Sequence, residues 1–257
     1  MAVMGDRPCA PELAADIMNL CGIVAADKVA RRLGPMAVRA SSRARVSAGP
    51  TSLRHRAGPG DVVVADKQLT YALFFALEEY EVAWRRFDGR MSEKVGRAAF
   101  VSGDAVTVLP YDPARDRVLV VEQFRTGPLA RGDTQCWQIE AIAGRIDPDE
   151  SPEQAARREA VEEAGLVLEG LTLVARYYPS PGAVSEYLYS YVALCELPDG
   201  LAGVFGVDEE AEDIRTHVLS FERFMELVAS GEIENAPLIL TALWLQRERG
   251  RLRGVVG

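Results

Sequence analysis

Apolar and polar residues repeat along this chain with two different periods, and the changes of period divide it. Over Pro11–Leu33 the apolar positions Leu13, Ile17, Leu20, Cys21 and Val24 recur at helical spacing, which predicts an amphipathic helix. Residues 34–60 lose the period and are rich in Ser, Gly, Pro and Arg, the composition of a linker. Asp61–Arg86 is rich in Val, Phe, Tyr and Leu with alternating stretches and reads as strands, followed by a turn at Asp88-Gly89. Val95–Phe100, Ala105–Pro110 and Arg117–Phe124 read as three more strands, the last two joined by a turn over 112–116. A helix is predicted from Pro152 to Ala164, then strands at Leu173–Tyr178, Tyr187–Ala193 and Ile214–Leu219. Ser220 and Asn235 are placed as N-caps of two closing helices that end at Gly231 and Gly250. Interleaved strands and helices predict an α/β class with a mixed sheet packed between helices.

The helix at 152–164 has the clearest local signals. Ser151 suits the N-cap, Pro152 the first helical position, and Gln154 completes a capping box. Gly165 can take the left-handed conformation that stops the helix. Glu159, Glu162 and Glu163 are spaced i, i+3, i+4 and therefore share one arc. Like charges so placed cost about 0.2–0.5 kcal/mol per pair, so a cation or a second layer of side chains must offset them. Arg157 and Arg158 are adjacent but are expected to point elsewhere, so they do not neutralise the whole cluster. Oxygen-only donors suit a hard cation, Mg²⁺ or Mn²⁺. The competing reading of the same residues is a solvated acidic face.

Composition narrows the classes. The 257 residues can bury one sizeable core and a smaller appended unit. No apolar run reaches the 18 residues of a membrane span, and the early acids Asp6, Glu12 and Asp16 do not fit a secretory signal. Four cysteines without CxxC spacing (Cys9, Cys21, Cys136, Cys195) read as free thiols in a reducing, cytoplasmic setting. With only His55 and His217 present, a histidine-based zinc site is not expected. The net charge of −9 is uneven, because residues 28–60 hold Lys28, seven arginines and no acid. The acidic remainder argues against nucleic acid as the main partner, and the basic stretch is composed like a solvated linker.

Residues 144–166, GRIDPDESPEQAARREAVEEAGL, fit the pattern G-x5-E-x7-R-E-U-x-E-E-x-G-U, with U apolar. Gly144, Glu150, Arg158, Glu159, Glu162, Glu163, Gly165 and Leu166 stand in their places, and Ala160 is a small residue in the first apolar slot. Seven fixed letters make a chance match at one start about 10⁻⁸ to 10⁻⁹. The run resembles the signature box of Nudix hydrolases. Within that family the chain resembles the ADP-ribose pyrophosphatases, through Glu122-Gln123-Phe124-Arg125, Glu140 to Gly144, Pro181 sixteen residues past Gly165, and the loop Glu209 to Ile214.

The resemblance implies a Nudix fold with an N-terminal antiparallel strand subdomain. It implies a strand subdomain used for dimerisation (61–98) and a hydrolase domain (99–257), behind a helical, basic extension and linker (1–60) whose composition reads as partly disordered. It implies Mg²⁺-dependent cleavage of ADP-ribose to AMP and ribose 5-phosphate, with Mn²⁺ able to substitute, by a homodimer that binds neither nucleic acid nor membrane. The alternatives are another nucleotide sugar, such as GDP-mannose or a UDP-sugar, and a ligand sensor without catalysis. By this resemblance Glu159, Glu163, Glu212 and the Ala143 carbonyl would ligate metal. Glu210 would be the general base, Glu162 would border the metal site and Arg158 would hold the box glutamates. Arg97 and Arg125 would grip phosphate or the adenine edge, Glu186 would bond the nucleotide, Phe74 would stack on the base, and Gly144 would leave room for the terminal ribose. By residue type alone, Phe74 is equally a core side chain; surface ion pairs are the competing reading of Arg97 and Arg125, and a solvated acidic loop the minor competing reading of 208–213. The chain departs from the family where Gly96 replaces the first member of a basic pair and where Arg145 follows Gly144.

Overall fold

The computed structural model describes residues 10–206 and 213–254. Its contacts divide into two compact units. The first holds the chain up to Asp104 together with Asp147–Asp149 and Ser180–Glu186. It begins with helices α1 (Ala10–Asn19), α2 (Ala26–Ala30) and α3 (Leu33–Ala44) and continues into strands β1 (Val62–Ala72), β2 (Ala76–Trp84) and β3 (Val95–Val101). The three strands form an antiparallel sheet in the order β1-β2-β3. Ser180–Glu186 joins it by a parallel bridge from Phe100 to Val184.

The chain departs from its local pattern in two places. The single helix expected over Pro11–Leu33 is broken, because the chain turns after Asn19 and Gly22 takes a left-handed φ of 77°. The linker expected over 34–60 is helical over its first part, as α3. Its arginines suggest a solvated segment, but Met36 and Ala40, one turn apart, pack with Leu13 and Leu20 of the α1 region. The positive charges also find partners far away in sequence. Arg43 pairs with Asp16 at 2.5 Å and Arg45 with Asp104 at 2.9 Å. Arg39 is buried, and burial lowers its pKa despite the attraction of Asp16.

The second unit contains β4 (Ala105–Asp112), β5 (Arg117–Phe124), α4 (Thr126–Arg131), β6 (Trp137–Glu140), β7 (Ile142–Arg145), α5 (Pro152–Ala164), β8 (Gly170–Tyr177), β9 (Leu188–Leu194), β10 (Val204–Phe205), β11 (Ile214–Ser220), α6 (Phe221–Ser230) and α7 (Ala236–Leu252). An eight-stranded mixed sheet runs β10-β11-β5-β4-β9-β8, with β6 added to β5 and β7 to β4. Only the β4–β9 pair is parallel among the described pairings of this sheet. β4 is buried along its whole length, as a central strand covered on both faces must be. Val106, Val108 and Ile142 face α5, and Leu109, Tyr111 and Val192 face α6 and α7. The helix expected to stop at Gly250 continues to Leu252. No helix among the described residues is long and apolar enough to cross a membrane.

The turn between β4 and β5 is held by Asp112. Its Oδ1 accepts from the N–H groups of Ala114 (3.0 Å) and Arg115 (2.9 Å), and its Oδ2 from Leu197 N–H (3.0 Å) and the Arg115 guanidinium (2.9 Å). Burial pushes this carboxyl upward, but the four hydrogen bonds outweigh it and hold the pKa at about 2.

Candidate active site

The site is built on α5 and the strand below it. α5 starts with the full capping box: Ser151 Oγ accepts from Gln154 N–H at 3.2 Å, and Gln154 Oε1 accepts from Ser151 N–H at 2.8 Å. It ends at Gly165, left-handed with φ 62°. The face turned to the sheet carries Ala155, Ala156, Ala160 and Ala164, all buried. Ala160 occupies the slot where a larger aliphatic is usual, and small side chains here let the helix lie close to β7. Glu159 and Glu163, on the same buried side, are thereby pressed against the strand.

Glu163 is 1% exposed, and its Oε2 accepts from Ala143 N–H at 3.1 Å. Glu159 lies over Gly144. A Cβ at position 144 would stand 1.7 Å from Glu159 Oε1 and 1.9 Å from its carboxyl carbon. The missing side chain of Gly144 thus makes room for a carboxylate of the box itself, a reason the sequence reading did not supply. Glu162 stands at the partly exposed edge of the same helix.

Arg158 ties Glu159 and Glu162 to Glu150. Its Nε and Nη2 donate to the two oxygens of Glu150 at 2.8 and 3.0 Å. Its Nη1 donates to Glu159 Oε1 at 2.7 Å and Glu162 Oε2 at 2.9 Å, and its Nη2 also reaches the Arg145 carbonyl at 3.0 Å. The expectation that Arg158 points elsewhere is corrected: it stands four residues before Glu162 on the same side of the helix, and its forked head reaches Glu159 as well. Hydrogen bonding to Glu150 first, and the charge of Glu159 after burial is set against it, raise its pKa. Arg157 does point elsewhere, with Nη2 donating to the Glu169 carbonyl at 2.6 Å. One guanidinium among four carboxylates leaves the group net negative.

Among the described residues, no three His, Cys, Asp or Glu side chains are grouped to hold a metal ion by themselves. Mg²⁺ does not require such a cage, since it commonly takes one or two carboxylates and fills its shell with water and substrate phosphate. Glu159 and Glu163, oxygen donors beside the Ala143–Gly144 strand, fit that pattern. The expected base Glu210 and ligand Glu212 lie outside the described residues.

The remaining expected residues divide between the two units. Arg125 belongs to the second unit and engages a carboxylate: Nε and Nη2 donate to Glu140 Oε2 at 3.0 and 2.6 Å. Glu140 Oε1 accepts in turn from Asn235 Nδ2 at 3.1 Å, and Asn235 Oδ1 caps α7 by accepting from Leu238 N–H at 3.0 Å. Phe74, Arg97 and Glu186 belong to the first unit. Phe74 sits between β1 and β2, 61% exposed, edge-on to Phe75 at 4.8 Å, so it is not a core side chain within this chain. Arg97 lies over the Trp84 ring at 5.6 Å. Sequence reasoning gave Glu150, Glu140 and Asn235 no role in the site. Glu150 was visible as a fixed letter of the box, whereas nothing local marks the Arg125–Glu140–Asn235 chain, whose ends are 110 residues apart.

A NUDIX domain profile matches residues 101–241. The ADP-ribose pyrophosphatase of Escherichia coli K12 is 38% identical over 205 residues, covering 79% of this chain and 97% of that protein. The ADP-ribose pyrophosphatase of Haemophilus influenzae is 33% identical over 196 residues, covering 75% and 89%. A GDP-mannose pyrophosphatase of Salmonella paratyphi B is 35% identical over 150 residues, covering 58% and 77%. Among solved structures, an ADP compounds hydrolase superposes with a TM-score of 0.58 at 20% identity, over 78% of this chain and all of that one, a likeness of fold.

Proposed function

The chain belongs to the NUDIX family, and from that premise we propose that it is a divalent-metal-dependent pyrophosphohydrolase that splits ADP-ribose into AMP and ribose 5-phosphate. The observation that carries the reading is the pair of carboxylates, Glu159 and Glu163, held against Ala143–Gly144 by a glycine gap and an arginine clamp. The relatives at 33–38% identity supply the substrate class.

Glu159, Glu163 and the Ala143 carbonyl would hold Mg²⁺, with Mn²⁺ able to replace it and Glu212 completing the set. The bound ion would offset the charge of the diphosphate, polarise its phosphoryl oxygens and lower the pKa of water at the site. Each protein group then has a task. Arg158 fixes Glu159 and Glu162 through charge-assisted hydrogen bonds, so both stand in place before substrate arrives. Ala143 N–H occupies one oxygen of Glu163 and orients the other. Glu210 accepts the proton of the attacking water. Phe74 offers an aromatic face to the base, Arg97 and Arg125 take phosphate or the adenine edge, and Glu186 bonds the nucleotide. The strand region 61–98 serves as the dimerisation unit. Support for that is the exposed apolar surface of Val62, Val63, Val64, Leu69, Tyr71 and Phe74, more than a small lone sheet is expected to leave in water. The cytoplasm, where thiols stay reduced, is the setting that fits Cys21, Cys136 and Cys195, all unpaired.

The test is a panel of nucleoside diphosphate compounds with Mg²⁺, products resolved by mass. ADP-ribose is expected to exceed GDP-mannose and UDP-glucose in kcat/KM by at least about tenfold, or 1.4 kcal/mol of transition-state discrimination. Faster turnover of GDP-mannose would keep the reaction and overturn the substrate, with Arg145 beside Gly144 the first residue to exchange. No turnover of any member would favour a non-catalytic sensor.

A further inference from the structure

The last turn of α3 grips two points of the chain that border the hydrolytic elements. Ser41 Oγ donates to the Pro148 carbonyl at 3.1 Å, and Arg45 Nη1 donates to Ser41 Oγ at 2.7 Å. The guanidinium occupies a lone pair of the hydroxyl and so directs its proton to Pro148. Arg45 Nε also pairs with Asp104 Oδ2 at 2.9 Å, while Ser42 Oγ bonds Oδ1 of the same buried carboxylate. A Cβ on Gly103 would come within 2.3 Å of Val38 Cγ1, so helix and chain touch there without space for a side chain. Asp104 and Pro148 lie in the same compact unit as α3.

Both grips stand next to working residues along the chain. Asp104 is the residue before β4, which pairs with β7 and so with Ala143 and Gly144. Pro148 is two residues before Glu150, and two residues of chain reach at most about 7 Å. Glu150 fills two arms of Arg158, whose third holds Glu159 and Glu162. We infer that Ser41, oriented by Arg45, is a positioning residue for hydrolysis: it fixes the Pro148 carbonyl, hence where Glu150 stands and how Arg158 presents Glu159. The inference rests on the hydrolase reading and assigns the N-terminal helical segment a part in the chemistry without any contact to substrate.

Ser41→Ala and Arg45→Met are compared with wild type in the full chain, using ADP-ribose turnover and, separately, Mn²⁺ binding followed by the electron paramagnetic resonance of the free ion. Each variant is expected to lower kcat about three- to tenfold, the worth of one hydrogen bond, with KM within about twofold. Mn²⁺ affinity should fall by a similar factor. Leu13→Ala serves as the control, since it loosens the buried cluster of α1 with Met36 and Ala40 of α3 while leaving the hydrogen-bonding groups of Ser41 and Arg45 in place. It should lower Tm and leave kcat and Mn²⁺ affinity alone. Wild-type kcat and Mn²⁺ affinity in folded Ser41→Ala and Arg45→Met would overturn the inference. An equal loss of kcat in Leu13→Ala would also overturn it, reducing α3 to a stabilising element. If wild type hydrolyses nothing, the hydrolase reading falls, while the Mn²⁺ measurement still decides whether Ser41 and Arg45 shape the carboxylate site.

Discussion

Gly144→Ala is the sharpest perturbation the site offers, because it adds one carbon at a known place. The new Cβ would lie 1.7 Å from Glu159 Oε1, 1.9 Å from its carboxyl carbon and 2.6 Å from Oε2. Ordinary contact begins near 3.4 Å, so the carboxylate must retreat by about 1.5–2 Å, several times the slack of a packed interior. The backbone is no obstacle, since Gly144 does not occupy the left-handed region. Glu159 cannot retreat freely, because its Oε1 is bonded to Arg158 Nη1 at 2.7 Å. Losing that charge-assisted bond costs about 1.5–3 kcal/mol, and overpacking of this kind costs about 1–3 kcal/mol. The fold should survive with a lowered Tm. Catalysis should suffer far more, since a displacement of about 1 Å at a reacting group can cost about 10² in rate. The expected result is a kcat for ADP-ribose reduced at least about 10²-fold and a metal requirement shifted to higher concentration. The assay is AMP release across a Mg²⁺ titration, with calorimetry for Tm. Gly170→Ala is the control, because a Cβ there meets nothing within 4 Å. A Gly144→Ala enzyme within about threefold of wild-type kcat, with an unchanged metal titration, would refute both the placement of Glu159 and its role.

Glu163→Gln should lower kcat at least about 10²-fold, the scale of one strong electrostatic contribution, while the neutral amide oxygen still accepts from Ala143 N–H and keeps the fold; near-wild-type turnover in saturating Mg²⁺ would remove Glu163 from the site. Arg158→Lys keeps the charge but replaces a fork serving Glu150, Glu159 and Glu162 by a single ammonium. It should lower kcat by about tenfold or more, and kinetics indistinguishable from wild type would show that the fork is dispensable. Asp112→Asn should destabilise the fold by about 2–3 kcal/mol at pH 7, because charged acceptors make the stronger hydrogen bonds. The folded pKa of Asp112, about 2, lies below its ordinary value of 3.8, so its contribution is whole above about pH 4 and is lost as pH falls toward 2. Urea unfolding of wild type and variant at pH 7, 4 and 3 should show the gap narrowing, and a gap constant with pH would contradict this account.

The local half of this protein was legible in its residues. Ser151, Pro152, Gln154 and Gly165 mark the ends of α5 through bonds made within three or four residues, so capping chemistry alone locates the helix. The spacing of Glu159, Glu162 and Glu163 placed them on one arc because helical geometry is local. The apolar runs gave β4, β5, β8, β9 and β11 of the central sheet but not β6, β7 and β10, which are only two to four residues long and too short for a period to show. Everything that depends on residues meeting across long separations was decided by the tertiary structure. Residues 34–44 carry Arg and Ser like a linker, yet form a helix because Met36 and Ala40 meet Leu13 and Leu20, and because Asp16 and Asp104 receive the arginines. Arg158 reaches Glu162 one helical turn away by local geometry, but its bonds to Glu150, eight residues earlier and outside the helix, required the packed loop. The use of Gly144 was hidden because the sequence shows only that a side chain is missing, not which neighbour needs the space. That neighbour, Glu159, is fixed by how closely an alanine-faced helix can lie on a strand, a distance that no periodicity encodes and only the packed core sets.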